Sequence, residues 1–126
     1  MSISIGTAIR SILLNNSTVS GLTTQIYPIF APDVTIVPYV VFIRKSVNAE
    51  YTKDGLLYDD CNVEINIVDN NYTQCVNIAQ AIRNALELKI GIFAGVQIYQ
   101  CLLVSASETY DIDGYITTLE FAIKCK

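Results

Sequence analysis

The chain has 126 residues, one domain's worth, and enough to bury roughly two-thirds of the surface its unfolded form would expose. Apolar residues make up 52% and charged residues only 16%, against about a quarter in an ordinary soluble domain; Asn, Gln, Ser and Thr must then cover much of the exterior, as suits a subunit that assembles. The net charge is −4 with no histidine, and only Arg44-Lys45 breaks the scatter of the basic residues. This excludes the basic face that sequence-independent nucleic-acid binding needs, and any Ser-His or Cys-His catalytic pair.

The start, MSISIGTAIR, lacks a positive segment followed by a long apolar stretch. The longest apolar run, IVPYVVFI over 36–43, has eight residues where a membrane helix needs about twenty. A soluble chain made in the cytoplasm is expected. Ile5, Ile9, Ile12 and Leu13 recur at helical spacing between Ser4 and about Asn15, with Ser4 placed to cap the first turn. Asn15-Asn16-Ser17 stops this helix, and a short turn around STVSG follows. Gln25 to Ile29 reads as a brief strand broken by Pro28, and Ala31 to Val37 as a loop.

Pro38 opens the strand PYVVFIRK, apolar on both faces until Arg44, so its first half belongs inside a covered sheet. Residues 46–57, SVNAEYTKDGLL, read as a polar connection holding an Asp54-Gly55 turn. Cys61, Val63, Ile65 and Ile67 then alternate with Asp60, Asn62, Glu64 and Asn66, which predicts a long antiparallel hairpin with one wet face. After Asp69-Asn70, Asn71 and Gln74 form a capping pair, and Tyr72, Cys75, Ala79, Ile82 and Leu86 step as a second helix whose outer face carries Gln74, Asn77, Asn84 and Glu87. Gly91 and Gly95 end that region. A strand over Ile98 to Ser105 follows, and a last one over 115–124 turns Tyr115, Thr117, Leu119, Phe121 and Ile123 inward and Thr118, Glu120 and Lys124 outward. The order implies one α+β domain over 1–126: a mainly antiparallel sheet with two helices packed on one face.

One segment imitates a metal site. In TYDIDGYITTLE, Thr109 to Glu120, the residues Asp111, Asp113, Gly114, Thr117 and Glu120 fall on the third, fifth, sixth, ninth and twelfth places of a calcium loop. The first place is Thr109 where a carboxylate is wanted, the approach alternates like a strand, and too few residues follow Glu120 for an exit helix. Asp113-Gly114 is instead read as the tight turn of a hairpin, with Glu120 facing solvent. Cys61, Cys75, Cys101 and Cys125 include no CxxC pair, so zinc is not expected and all four are read as thiols, with Cys61 and Cys75 buried on apolar stripes. Asp59-Asp60 are adjacent strand residues pointing to opposite faces, which does not suit paired acid-base work. Gly91 and Gly95 have neither the lysine nor the spacing of a phosphate loop. No catalytic, cofactor-binding or metal-ligating residue is assigned.

The order of features goes further than composition. The first helix running into STVSGLTTQIYP, the PYVVF strand after a proline-bearing loop, VEINIVDNNYTQCVNIAQAIRNAL turning from strand to helix, and the closing YDIDGYITTLEFAI hairpin together span nearly the whole chain. In that order the chain resembles the tail completion, or tail terminator, proteins of long-tailed bacteriophages. The resemblance implies a structural virion subunit that forms a hexameric homo-oligomeric ring on the head-proximal end of the tail. Its partners would be the major tail tube protein and the head-tail connector protein; DNA would only pass through the channel, no membrane would be involved, and assembly would occur in the host bacterial cytoplasm. No contact residue carries over position by position. The alternatives are another neck or tail-tube protein, a small ligand-binding regulatory domain, a calcium-binding module and, last, an enzyme.

Overall fold

The alternation of residues 61–67 and 115–123 places two strands at the centre of the molecule. The structure, a computed structural model, describes residues 2–29, 37–111 and 114–126. A 3₁₀ turn leads into α1 (Ile5–Asn15) and α2 (Ser17–Leu22), followed by β1 (Ile26–Pro28), β2 (Tyr39–Thr52), β3 (Gly55–Asp69), α3 (Tyr72–Leu86), β4 (Gly91–Phe93), β5 (Val96–Asp111) and β6 (Gly114–Cys125). The strands make one mixed, curled sheet in the order β1-β2-β3-β6-β5-β4. Only β1 with β2 is parallel; every other pair is antiparallel.

The core is one cluster. Ile5, Ile9, Ile12 and Leu13 of α1 meet Cys75, Ile78, Ile82 and Leu86 of α3, and both sets join the alternate strand residues Val40, Phe42, Val63, Ile65, Ile67, Leu119, Phe121 and Ile123. Those strand positions are two apart, as a half-buried sheet requires. The intervening residues of β3 and β6, among them Asn62, Glu64, Thr118 and Glu120, remain partly or fully exposed.

Helix α3 starts as the sequence suggests: the Asn71 side chain accepts the Gln74 amide at 3.1 Å. Four expectations change. Among the described residues there are three α-helices rather than two, because Asn16 caps STVSG through its Oδ1, accepting the Thr18 and Val19 amides at 3.1 Å each while Val19 is buried. Ser4 makes no capping hydrogen bond with its side chain, and the 3₁₀ turn Ser2–Ser4 feeds α1 directly. Residues 46–57 are not a connection but the outer half of β2 and the start of β3, paired down to Thr52 with Gly55, so the tight turn is Lys53-Asp54 and Gly55 opens β3. Likewise β5 runs from Val96 to Asp111, beyond the expected Ile98–Ser105, and β4 is added beside its start. Of the loop expected over 31–37, residues 31–36 lie outside the described residues, as does Asp113 of the expected turn; the pairing of Asp111 with Gly114 closes the hairpin on either side of it.

Gly114 holds a tight junction between that hairpin and the end of β3. Its φ is +119°, and a Cβ there would lie 2.6 Å from the Asp69 carbonyl oxygen, a backbone atom with no room to yield. Gly114→Ala is therefore expected to cost roughly 2–4 kcal/mol, from backbone strain plus the clash. Chemical denaturation checks this. Gly21→Ala is the comparison, since a Cβ at Gly21 meets nothing within 4 Å and that position is helical; it should leave the midpoint unchanged or raise it.

Candidate functional site

The segments that escape the core lie at the edges of the sheet. β2 is covered on its outer side by β1 at Val40–Phe42, and among the described residues no strand pairs with that side from Ile43 to Thr52. At the other end, β4 covers β5 at Val96–Ile98, and the Leu88 amide reaches the Cys101 carbonyl at 2.8 Å. Beyond it, among the described residues, no strand pairs with the outer side of β5 from Leu102 to Tyr110. From Val104 onward β5 is exposed on both faces, with Val104 at 61% and Tyr110 at 69%.

Each open edge has a shallow apolar groove beside it. Beside β5, a groove of roughly 170 Å³ lies between α3 and the sheet, lined by Val76, Ala79, Leu103, Ala106 and Leu119 with Glu108 at its rim. Beside β2, one of roughly 320 Å³ is lined by Ile3, Pro28, Ile29, Phe42 and Arg44. The Arg44 guanidinium donates to the Ile3 carbonyl at 2.6 Å, tying the edge to the start of the chain. Where β5 nears its turn, Tyr72 and Tyr110 pack edge-on against Tyr115 at 5.4 and 5.1 Å, and a hydrogen bond to Glu108 raises the pKa of the Tyr72 hydroxyl.

The residues weighed for chemistry are dispersed by this fold. β6 runs without a break from Gly114 to Cys125, so Glu120 sits six strand residues beyond Gly114 and accepts a hydrogen bond from Lys45 at 3.2 Å. Glu64 is directly across the strand pair from Glu120, and the Lys45 ammonium is held above its ordinary pKa by its hydrogen bond to Glu120, then by the charges of Glu120 and Glu64. Asp59 and Asp60 are consecutive in β3, paired with Cys125 and Lys124 of β6. Gly91 and Gly95 are both at positive φ; Gly91 opens β4 and Gly95 lies in the β4–β5 turn.

All four cysteines are buried thiols. Cys61 and Cys125 meet at 3.3 Å between their sulfurs, and their hydrogen bond, with burial, pushes the Cys61 thiol up. Cys75 contacts the Ile67 carbonyl at 3.4 Å and the Thr117 hydroxyl at 3.3 Å, its acidity lowered chiefly by burial. Burial, then the charge of Glu87, pushes Cys101 up to about 12. The Cys61, Cys75 and Cys101 thiols therefore stay protonated at neutral pH, poor nucleophiles and poor metal ligands.

Residues 7–125 match the family described as tail completion protein gp17. The chain belongs to that family. It is accordingly a structural component of a phage tail. A solved chain from the virion of a native gene transfer agent particle superposes with a TM-score of 0.81 at 15% identity, covering 94% of this chain and 91% of that one, which shows a shared fold. No curated protein matches in sequence. No described helix is long and apolar enough to cross a membrane.

The open edges were missed by periodicity because strands exposed on both faces carry no alternating signal. The one compositional cue is that LLVSASETY, 102–110, includes Val104, Thr109 and Tyr110 and contains no proline, glycine or lysine. For the thiols, titration of the unfolded chain without reductant should count four. The native chain should react slowly, since all four cysteines are at most 1% exposed. A count of zero would mean two disulfides.

Proposed function

We propose that the chain, acting as one domain over 1–126, is a tail terminator subunit: a ring, hexameric in the simplest reading, that caps the tail tube at its head-proximal end and offers a surface to the head connector. The observation that carries this is the family match over 7–125, to which the superposition on a virion chain adds the fold. The two open edges support a subunit built to be completed by neighbours. Such a role needs no catalytic group, cofactor or metal. Its partners are further copies of the chain, the major tail tube protein and the connector protein, with DNA only passing through the channel. The charge of −4 suits a bore along which DNA must slide without adhering.

The experiment is genetic. Deleting the gene should leave filled heads unattached and tails of uncontrolled length, because nothing halts the growing tube. Normal-length tails joined to heads would refute the assignment. Normal-length tails left unjoined would favour the second reading within virion assembly, an adjacent neck protein.

A further inference from the structure

The open edges of β2 and β5 match one another. We infer that the β5 edge, Leu102–Thr109, is completed by the β2 edge, Ile43–Glu50, of a second copy of this chain, the two pairing antiparallel so that one sheet continues from subunit to subunit. This rests on the ring reading above and says which surfaces meet.

Three observations support it. The first is direction. In the order β2-β3-β6-β5 every neighbour is antiparallel, so β5 runs opposite to β2 and a translated copy presents its β2 antiparallel to the β5 edge. The second is phase. On β2 the residues whose backbone points outward include Val40, bonded to Gln25, and Phe42, bonded to Ile29, and both turn their side chains to the core. On β5 the outward carbonyl of Cys101 likewise belongs to a core residue. Residues that face the helices therefore point their amides and carbonyls outward on both edges, and joining the edges pairs them in hydrogen-bonded positions without flipping either face.

The third is charge. Glu108 is the only charged residue in 102–110, and β2 carries Arg44 and Lys45 at the start of its open stretch. Arg44 follows the parity of Val40 and Phe42, and Glu108, paired with Thr117, follows that of Leu119, so the two lie on the same face. Setting Arg44 opposite Glu108 pairs Ile43–Glu50 with Leu102–Thr109. Each stretch has one bulged residue, Lys45 and Val104, where pairing with its own neighbour shifts, and stepping past both keeps helix-facing residues opposite helix-facing residues: Val47 opposite Ala106, and Ala49 opposite Leu103. Within one subunit Arg44 is level with Leu103, through Val63 and Phe121, so the join offsets each copy along the strands, as a sheet closing on itself requires.

The pairing sets Ser46 opposite Ser107 on the wet face, in the closer, non-hydrogen-bonded type of pair that a disulfide can span. Particles assembled with the Ser46→Cys, Ser107→Cys chain and treated with a mild thiol oxidant should give a ladder of chain multiples on non-reducing gels. Ser107→Cys alone should give none. Monomer from the double variant, a ladder from the single one, or cross-linking to a different protein would overturn the inference while leaving the tail reading intact. Absence of the chain from purified particles would instead remove the tail reading. If the cysteine chain fails to incorporate, charge exchange decides: Arg44→Glu and Glu108→Arg should each lower incorporation at least tenfold, and together should restore it. Two singles that incorporate normally, or a double that stays as poor as the singles, would overturn the pairing.

Discussion

β3 and β6 are joined over Asp59–Asp69 and Tyr115–Cys125 with no shift in register, and the rest of the molecule is arranged by that pairing. An unbroken ladder fixes which side of every residue faces the helices, because a slip of one position would send Val63, Ile65, Leu119 and Phe121 to solvent and bring Glu64 and Glu120 into the core. Bulges are confined to the flanking pairs, β2 with β3 and β5 with β6. There they bend the sheet without disturbing its centre. The Asp69–Gly114 contact closes the same ladder at one end: β6 can begin beside the last residue of β3 only because Gly114 has no Cβ.

Where a segment has one buried and one wet face, its sequence declares it. The 61–67 and 115–123 alternations, the three- and four-residue steps of α3 and the Asn71 cap are all legible for that reason. The capping asparagine of α2 is legible too once its geometry is known, but a six-residue helix with Val19 as its buried residue leaves no periodic trace. Segments 46–57 and 104–111 fail for a different reason. They are strands chiefly by backbone pairing: most of their residues are exposed on both faces, so little alternation is selected by burial. A reading based on periodicity turns such strands into loops. The candidate assembly surface therefore lies in the region periodicity cannot see; assembly is suggested instead by the low-charge composition and the family resemblance.

The calcium-like spelling of 109–120 has a related origin. A strand alternating acidic or hydroxyl residues with apolar ones, entered through a turn of Asp and Gly, reproduces much of the spacing of an oxygen-rich loop. What separates the two is direction: a calcium loop folds its first and last ligands around one centre, whereas an extended strand carries Glu120 steadily away from Gly114, about 3.3 Å for each residue. Lys45 is where Glu120 ends, on the wet face of the sheet.

The edges also bear on the kind of assembly. A sheet with an open edge on each side can associate two-fold, β5 against β5, or head to tail, β5 against β2. The two-fold arrangement offers β5 no cation, since 102–110 contains none, and it leaves the β2 edge as exposed as before. Head-to-tail contact opposes Glu108 with Arg44 and consumes one edge of each kind at every join. It leaves an open edge only at the two ends of an unfinished row, so it is satisfied completely when the row closes. A chain poor in surface charge, with neither lysine nor proline guarding 102–110, has little to prevent edge association. On the proposed ring reading, closure would remove the exposed edges without indefinite growth, as a finite cap on a tube would require.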